Sequence, residues 1–213
     1  SAEGNQSLVS FGNSVSTAGD VNGDGYSDVI IGDDYYSDGQ SDEGSSFVYY
    51  GSPSGLSLTP NWSAEGNQVS AHFGRSVSTA GDINGDGYSD IIIGAFLFDN
   101  GQNNEGAVFV YHGSASGLSL TPNWNAEGNQ AGAYFGISVS SAGDVNGDGY
   151  SDVIVGAYIF DNGQTDEGAA FVYYGSASGL SLTPNWSNDA NQADAYYGYS
   201  VATAGDVNGD GYS

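Results

Sequence analysis

The chain has no cysteine and no lysine, and among its 213 residues Arg75 is the one Lys or Arg. Without cysteine there is neither a disulfide framework nor a thiolate metal site, and the redox compartment cannot be read from cysteine usage. Without clusters of Lys and Arg to neutralise phosphate, nucleic acid and anionic membranes are excluded as partners. No apolar run approaches the length of a membrane-crossing helix, and this stretch shows neither a signal peptide nor a transmembrane segment. Lysine is absent and glutamate scarce, so little favours helix.

What is present in excess is acid. There are 26 Asp and Glu, for a formal net charge of -25, while 38 % apolar and 13 % aromatic content argues for a packed core rather than disorder. Eleven of the acids fall in copies of one phrase. Asp-Val-Asn-Gly-Asp-Gly-Tyr-Ser-Asp begins at Asp20, recurs at Asp82 (with Ile83 for Val) and Asp144, and starts again at Asp206, each copy 62 residues after the last. Oxygen-bearing side chains at alternate positions, Asp20, Asn22 and Asp24, can converge on one hard cation. Gly25 permits the sharp turn that brings the Tyr26 carbonyl and Asp28 to the same ion. The same reading assigns Asp82, Asn84, Asp86, Tyr88 and Asp90 to a second calcium site, and Asp144, Asn146, Asp148, Tyr150 and Asp152 to a third. A fourth, with Asp206, Asn208, Asp210 and Tyr212, stops at Ser213, one residue short of its closing aspartate. An EF-hand or dockerin-like loop also begins Asp-x-Asn-x-Asp-Gly, but it calls for a carboxylate at the twelfth position and a helix after it. Here the twelfth residue is Ile31, in a β-branched run. Asp-Gly turns that hold no metal are the bland alternative, weakened by the repulsion of several convergent carboxylates without a cation.

Calcium bears on location. At ~10⁻³ M free calcium, a site with a dissociation constant of ~10⁻⁴ M stabilises a fold by roughly 1.4 kcal/mol, and three contribute about 4 kcal/mol. At cytosolic calcium they contribute almost nothing, so an extracellular or cell-surface location is expected. The fifteen acids outside the loops fit adaptation to high salt, or plain solubility, equally well.

The 62-residue period runs through the whole chain, and residues 28–89 match 90–151 at roughly two-thirds of positions, as in an array of equivalent units. Each unit reads as four short β segments: one containing Val15 after Phe11-Gly12, then Val29-Ile30-Ile31, Phe47-Val48-Tyr49-Tyr50, and Leu56-Ser57-Leu58 leading to Trp62. Turn residues such as Ser52-Pro53-Ser54-Gly55 and Asp38-Gly39-Gln40 separate them. One small sheet cannot bury both of its faces, but four-stranded sheets stacked around an axis can. About 60 residues per unit suits an all-β fold of β-propeller blades.

Phe73-Gly74, the loop from Asp82 to Asp90, Ile91-Ile92-Ile93 and Gly94-Ala95 resemble the FG-GAP repeat of integrin α-subunit propellers and their microbial relatives. Phe135-Gly136, Asp144 to Asp152 and Gly156-Ala157 repeat the pattern. There are departures: Phe96 and Tyr158 stand where the family has proline, the first unit has Asp33-Asp34, and the last has Tyr197-Gly198. The resemblance implies that the Phe-Gly segment is the innermost strand of each blade, the Ile run the second, and the Phe-Val-Tyr and Leu-to-Trp segments the outer two. It implies blades at about 11–64, 73–126 and 135–188, a partial blade at 197–213 whose inner strand is 198–206, and the end of a preceding outer strand at 1–10. A piece of a longer array, or a ring completed by other chains, is then expected, because rings have about four to eight blades.

In such a meander the first-to-second and third-to-fourth connections share one edge, and the remaining connections share the other. The calcium loops therefore lie opposite the longest variable loops, 33–44, 95–106 and 157–168. Those carry Tyr35, Tyr36, Phe96, Phe98, Tyr158 and Phe160 beside Asp38, Asp99 and Asp161. Aromatics with acids can bind sugars or cationic partners, and they can equally pack between blades. Trp62, Trp124 and Trp186 recur in register and read first as blade packing. Asn5, Asn61 and Asn185 sit in Asn-x-Ser sequons, which leaves glycosylation open. His72 and His112 lie at different phases of the repeat, and nothing supplies a nucleophile, base and orienter together. The expectation is a non-catalytic module for adhesion or recognition of an extracellular protein or glycan, with a structural subunit of a surface layer, sheath or fibre as the alternative.

Overall fold

The computed structural model describes residues 10–213, so the expected end of an outer strand at the amino terminus, and the sequon at Asn5, fall largely outside the described residues. Twelve strands form three antiparallel sheets of four. The first blade holds β1 (Ser14–Gly19), β2 (Asp28–Asp33), β3 (Ser45–Tyr49) and β4 (Trp62–Glu65). The second holds β5 (Phe73–Gly81), β6 (Asp90–Ala95), β7 (Ala107–Tyr111) and β8 (Trp124–Glu127). The third holds β9 (Ser138–Gly143), β10 (Asp152–Ala157), β11 (Ala169–Tyr173) and β12 (Trp186–Asp189). Each sheet pairs its strands in chain order, and the described residues contain no helix. β1 lies against β5 and β5 against β9, so successive blades pack through their inner strands in an open series.

The core lies between blades rather than within one. In β6 every residue is buried: Ile91 and Ile93 join the cluster shared with Ile30, Val48 and Trp62, while Ile92 joins the cluster shared with Val153 and Val155. Alternate side chains point to opposite faces, and both faces are covered by neighbours, so the strand reads as an unbroken apolar run. β2, with no described blade in front of it, alternates between buried and half-buried over Asp28 to Ile31 before ending on the buried Gly32 and Asp33.

The two glycines of the repeat meet across this interface. A Cβ on Gly32 would strike the carbonyl oxygen of Gly74, one on Gly94 that of Gly136, and one on Gly156 that of Gly198. Each inner strand carries a bulge before its aspartate loop, where Thr17 and Gly19, or Thr79 and Gly81, bracket a register shift against the second strand. Gly19 takes a φ of 77° there, which suits glycine.

Two details differ from expectation. The outermost strand begins at the tryptophan and runs on to Glu65, Glu127 or Asp189, while Leu56–Leu58 lie in the preceding turn. Residues 198–206 form no strand, because among the described residues no second strand lies beside them to pair with. They keep the blade's place: Val201 N donates to Ser138 Oγ at 3.0 Å, as Val77 N does to Ser14 Oγ at 3.1 Å.

Candidate functional site

Each aspartate loop folds around its first carboxylate. Asp82 Oδ1 accepts from Gly85 N (2.7 Å) and Asp86 N (3.1 Å), and Oδ2 from Gly87 N (2.9 Å). Asn84 Oδ1 accepts from Asp86 N, and Asp86 Oδ1 from Tyr88 N, each at 3.0 Å. Gly85 and Gly87 take left-handed φ values of 74° and 91°, which turn successive amides inward. The bonds from Asp20, Asn22 and Asp24 in the first loop, from Asp144, Asn146 and Asp148 in the third, and from Asp206, Asn208 and Asp210 in the fourth repeat the arrangement.

The closing aspartate is buried at the loop's base. Asp90 Oδ2 accepts from Ile83 N at 3.0 Å and Oδ1 from Gly113 N at 2.9 Å, which ties the loop to the turn after β7. Asp28 bonds Val21 and Gly51, and Asp152 bonds Val145 and Gly175, in the same way. Burial pushes the Asp90 carboxyl up to about 7 against the pull of those two amides, and the charges of Asp86 and Asp82 push the same way. Asp28 and Asp152 are raised for the same reasons, burial first. By contrast the exposed Asp206 is lowered, chiefly by the amide of Gly211.

Among the described residues, no three His, Cys, Asp or Glu side chains converge as a metal cluster, because the loop carboxylates turn onto backbone amides. The donor set nevertheless suits a hard divalent cation: Asp82, Asn84, Asp86, the Tyr88 carbonyl and Asp90 are all oxygen donors on one turn. A buried carboxylate raised by the charges of two loop carboxylates is an arrangement that a cation would relieve.

The loops also lock blade to blade, through contacts that no local sequence pattern announces. Ser89 N donates to Asp20 O at 3.0 Å, Ser151 N to Asp82 O and Ser213 N to Asp144 O, each at 3.0 Å. The Tyr88 ring covers Gly23 and the Tyr150 ring covers Gly85 so closely that neither glycine has room for a Cβ. Tyr and Ser of each phrase thus serve the preceding loop.

The opposite edge carries the 33–44, 95–106 and 157–168 loops, as the meander geometry requires. Gln68, in the link from the first blade, accepts from Asp99 N at 2.7 Å and donates to Asp99 O at 2.8 Å; Gln130 does the same for Asp161. Asp99 and Asp161 turn inward, each accepting a backbone amide of its own loop. Tyr36, Phe98 and Phe160 pack edge-on against Phe47, Phe109 and Phe171 of their own blades. Phe96 and Tyr158, in place of the family's proline, join a chain of rings that crosses blades from Tyr35 through His72, Phe96, Tyr134 and Tyr158 to Tyr196. Much of the aromatic content of these loops is therefore packing, although Tyr35 stays exposed. Asp38 gives its amide to Glu43.

Three buried glutamates organise these loops. Glu43 Oε1 accepts from Asp38 N at 2.8 Å and Gln40 N at 3.4 Å, Glu105 from Asn100 and Gln102, and Glu167 from Asn162 and Gln164. Their signal was an in-register Glu-Gly pair in every unit. Arg75 pairs with the buried Asp34 at 3.4 Å and lies over the Phe96 ring, so the lone cation serves as a counter-ion.

The remaining candidates sort the same way. Trp62 and Trp124 are buried, and their indole N–H groups reach Ser119 O (2.9 Å) and Ser181 O (3.1 Å) of the next blade; Trp186 is 44 % exposed. Asn61 and Asn185 pin the turn before the outer strand, each accepting from a backbone amide, as Asn123 does without a sequon. His112 sits beside Asn84 on the aspartate-loop edge and His72 on the other, so they do not share a site.

An FG-GAP repeat profile matches residues 11–49, 73–111 and 135–173, together more than half of the chain. The chain is 33 % identical over 193 residues to integrin alpha-5 of Xenopus laevis, covering 87 % of this chain and 18 % of that protein. It is 32 % identical over 200 residues to integrin alpha-V of Gallus gallus (89 % and 19 %) and 35 % identical over 163 residues to integrin alpha-IIb of Mus musculus (73 % and 15 %). It thus spans less than a fifth of each of these relatives. The matched segments run from the Phe-Gly turn through the aspartate loop to the third strand of each blade, and this chain belongs to the FG-GAP repeat family.

Proposed function

We propose that this chain is a calcium-stabilised, non-catalytic β-propeller segment that acts in adhesion or ligand recognition outside the cell or at its surface. The observation that carries this reading is the integrin-alpha-like FG-GAP pattern, with an all-oxygen loop and a buried closing carboxylate in each of three blades. Calcium would be held by Asp20, Asn22, Asp24, Tyr26 and Asp28, by Asp82, Asn84, Asp86, Tyr88 and Asp90, and by Asp144, Asn146, Asp148, Tyr150 and Asp152. Its chemistry there is charge neutralisation. Because the Ser and Tyr of each loop grip the loop before it, the ion would stiffen the blade interface as well as its own turn. The partner is an extracellular protein or glycan.

Two measurements test this. Thermal unfolding in millimolar calcium should lie above that in chelator, and an unchanged midpoint removes the structural role of the ion. Beads coated with the chain should adhere to immobilised extracellular matrix in calcium and release in chelator; beads that never adhere remove the recognition role. The near-identical 62-residue repeats support a second reading, a subunit of a surface layer or fibre. End-to-end polymers without saturable ligand binding would select it.

A further inference from the structure

Between consecutive blades the rim opens into a groove, and the two grooves in the described chain are copies of one another. One, of about 430 Å³, sets Asn125, Glu127 and Asn129 of the second blade's outer edge against Phe160, Phe171 and Leu182 of the third blade. The other, of about 360 Å³, sets Ser63, Glu65 and Asn67 against Phe98, Phe109 and Leu120. Both volumes fall within the range of roughly 300–1,000 Å³ typical of small-ligand sites.

A wedge of space between splayed sheets is a consequence of blade geometry, but the leucines on its lip are not. Leu120 and Leu182 are each 88 % exposed, and Leu58 at the same repeat position is 82 % exposed. Packing does not use these side chains, yet all three units keep them. Below them lie half-buried phenylalanine rings, and across the groove lie amides and a carboxylate. The Glu127 carboxylate is held in place by Asn100 Nδ2 at 2.8 Å.

The chemistry of the two walls narrows the occupant. The outer strand is a free sheet edge, which invites strand addition, but the Glu127 carbonyl is already capped by Asn129 Nδ2 at 3.0 Å and the Glu65 carbonyl by Asn67 Nδ2 at 3.0 Å. No cation lines either groove, so an acidic ligand meets only like charge on a chain of net charge -25. An apolar, ring-bearing wall facing hydrogen-bonding amides and a carboxylate suits a molecule with C–H faces and hydroxyl edges. We propose that these inter-blade grooves bind the hexose units of a neutral polysaccharide. The sugar faces lie on the Phe and Leu wall, and the hydroxyls bond Asn125, Glu127 and Asn129 or their equivalents. Two grooves one blade apart let one polymer engage both, so it binds more tightly than a short oligomer. This rests on the recognition reading above and names its ligand class.

The test is calorimetric titration of the full chain, in calcium, with cellohexaose, maltoheptaose and laminarin as neutral probes and polygalacturonate as an acidic one. At least one neutral glucan should bind at millimolar concentration or below. The double variant Leu120→Ser/Leu182→Ser changes only exposed side chains, and its circular dichroism should match the parent. It should weaken that binding at least about tenfold, as loss of a leucine contact worth ~1.5 kcal/mol implies. Absence of binding by all three glucans, equal binding by the folded double variant, or preference for polygalacturonate overturns the assignment. Should no glucan bind while coated beads still adhere to matrix, the glycan assignment falls and the adhesion reading stands; should neither occur, both fall.

Discussion

In the 213-residue chain Trp124 and Trp186 occupy the same repeat position, and the described residues place a complete following blade against the first alone, which makes them a matched pair for measuring what one blade gives the next. Trp124 is 8 % exposed, meets the Tyr173 ring edge-on at 5.0 Å and donates its indole N–H to Ser181 O. Trp124→Ala should therefore cost ~3–5 kcal/mol, the usual loss for a large aromatic removed from a packed site. Trp186 is 44 % exposed, so Trp186→Ala should cost only ~1–2 kcal/mol. For a chain of this size, each kcal/mol moves the melting temperature by roughly 2–4 °C. The first variant should melt some ~6–20 °C lower and the second ~2–8 °C lower. Urea unfolding followed by far-ultraviolet circular dichroism, which does not depend on the missing fluorophore, gives both numbers. Equal losses would show that each tryptophan stabilises its own blade, and would refute an inter-blade core.

Three other perturbations address separate parts of the structure. Gly94→Ala should destabilise by ~3 kcal/mol, because the new methyl meets the backbone of Gly136, which cannot swing aside as a side chain would; a loss under ~0.5 kcal/mol in urea would contradict the close approach. Glu105→Ala should leave the Asn100 and Gln102 amides without their acceptor at ~1–3 kcal/mol, and amide exchange across 95–106 should speed up; unchanged exchange would show that the glutamate is not the organiser of the loop. In chelator, the melting temperature should fall as pH rises from about 4 towards 7. Asp90 titrates near 7 in the fold against an ordinary 3.8, so the folded state holds the extra proton in that window and loses the advantage as the proton leaves. A melting temperature that rises or stays flat across that window would show that Asp90 is not held protonated in the metal-free fold.

Much of this was legible because each repeat carries its own control. The Ile91-Ile92-Ile93 run, the in-register tryptophans and the Asp-Asn-Asp spacing are properties of single strands and turns, and a strand's period of two says which residues share a face. What escaped was cross-blade contact. Tyr88 sits 65 residues from Gly23 in sequence, and no local pattern announces that its ring covers that glycine. The apolar residues of the Leu-to-Trp segment suggest a strand, yet Leu58 is exposed and pairing begins only at Trp62, where β3 supplies a partner. Glu43, Glu105 and Glu167 are buried although a charged residue reads as surface in the sequence, because their partners are backbone donors that no side-chain pattern announces.

Because β6 serves one core through Ile91 and Ile93 and another through Ile92, its blade has a front that fits its own back. A unit of this kind joins copies of itself head to tail, and such contacts generate a ring when the rotation per step divides a full turn, and a filament when it does not. Hence the number of blades is not written in the recognition between them. It is set by an angle, fixed in part by glycine pairs such as Gly94 and Gly136 that allow two backbones to touch, and a change of one methyl there would act on the geometry of every assembly built from the unit.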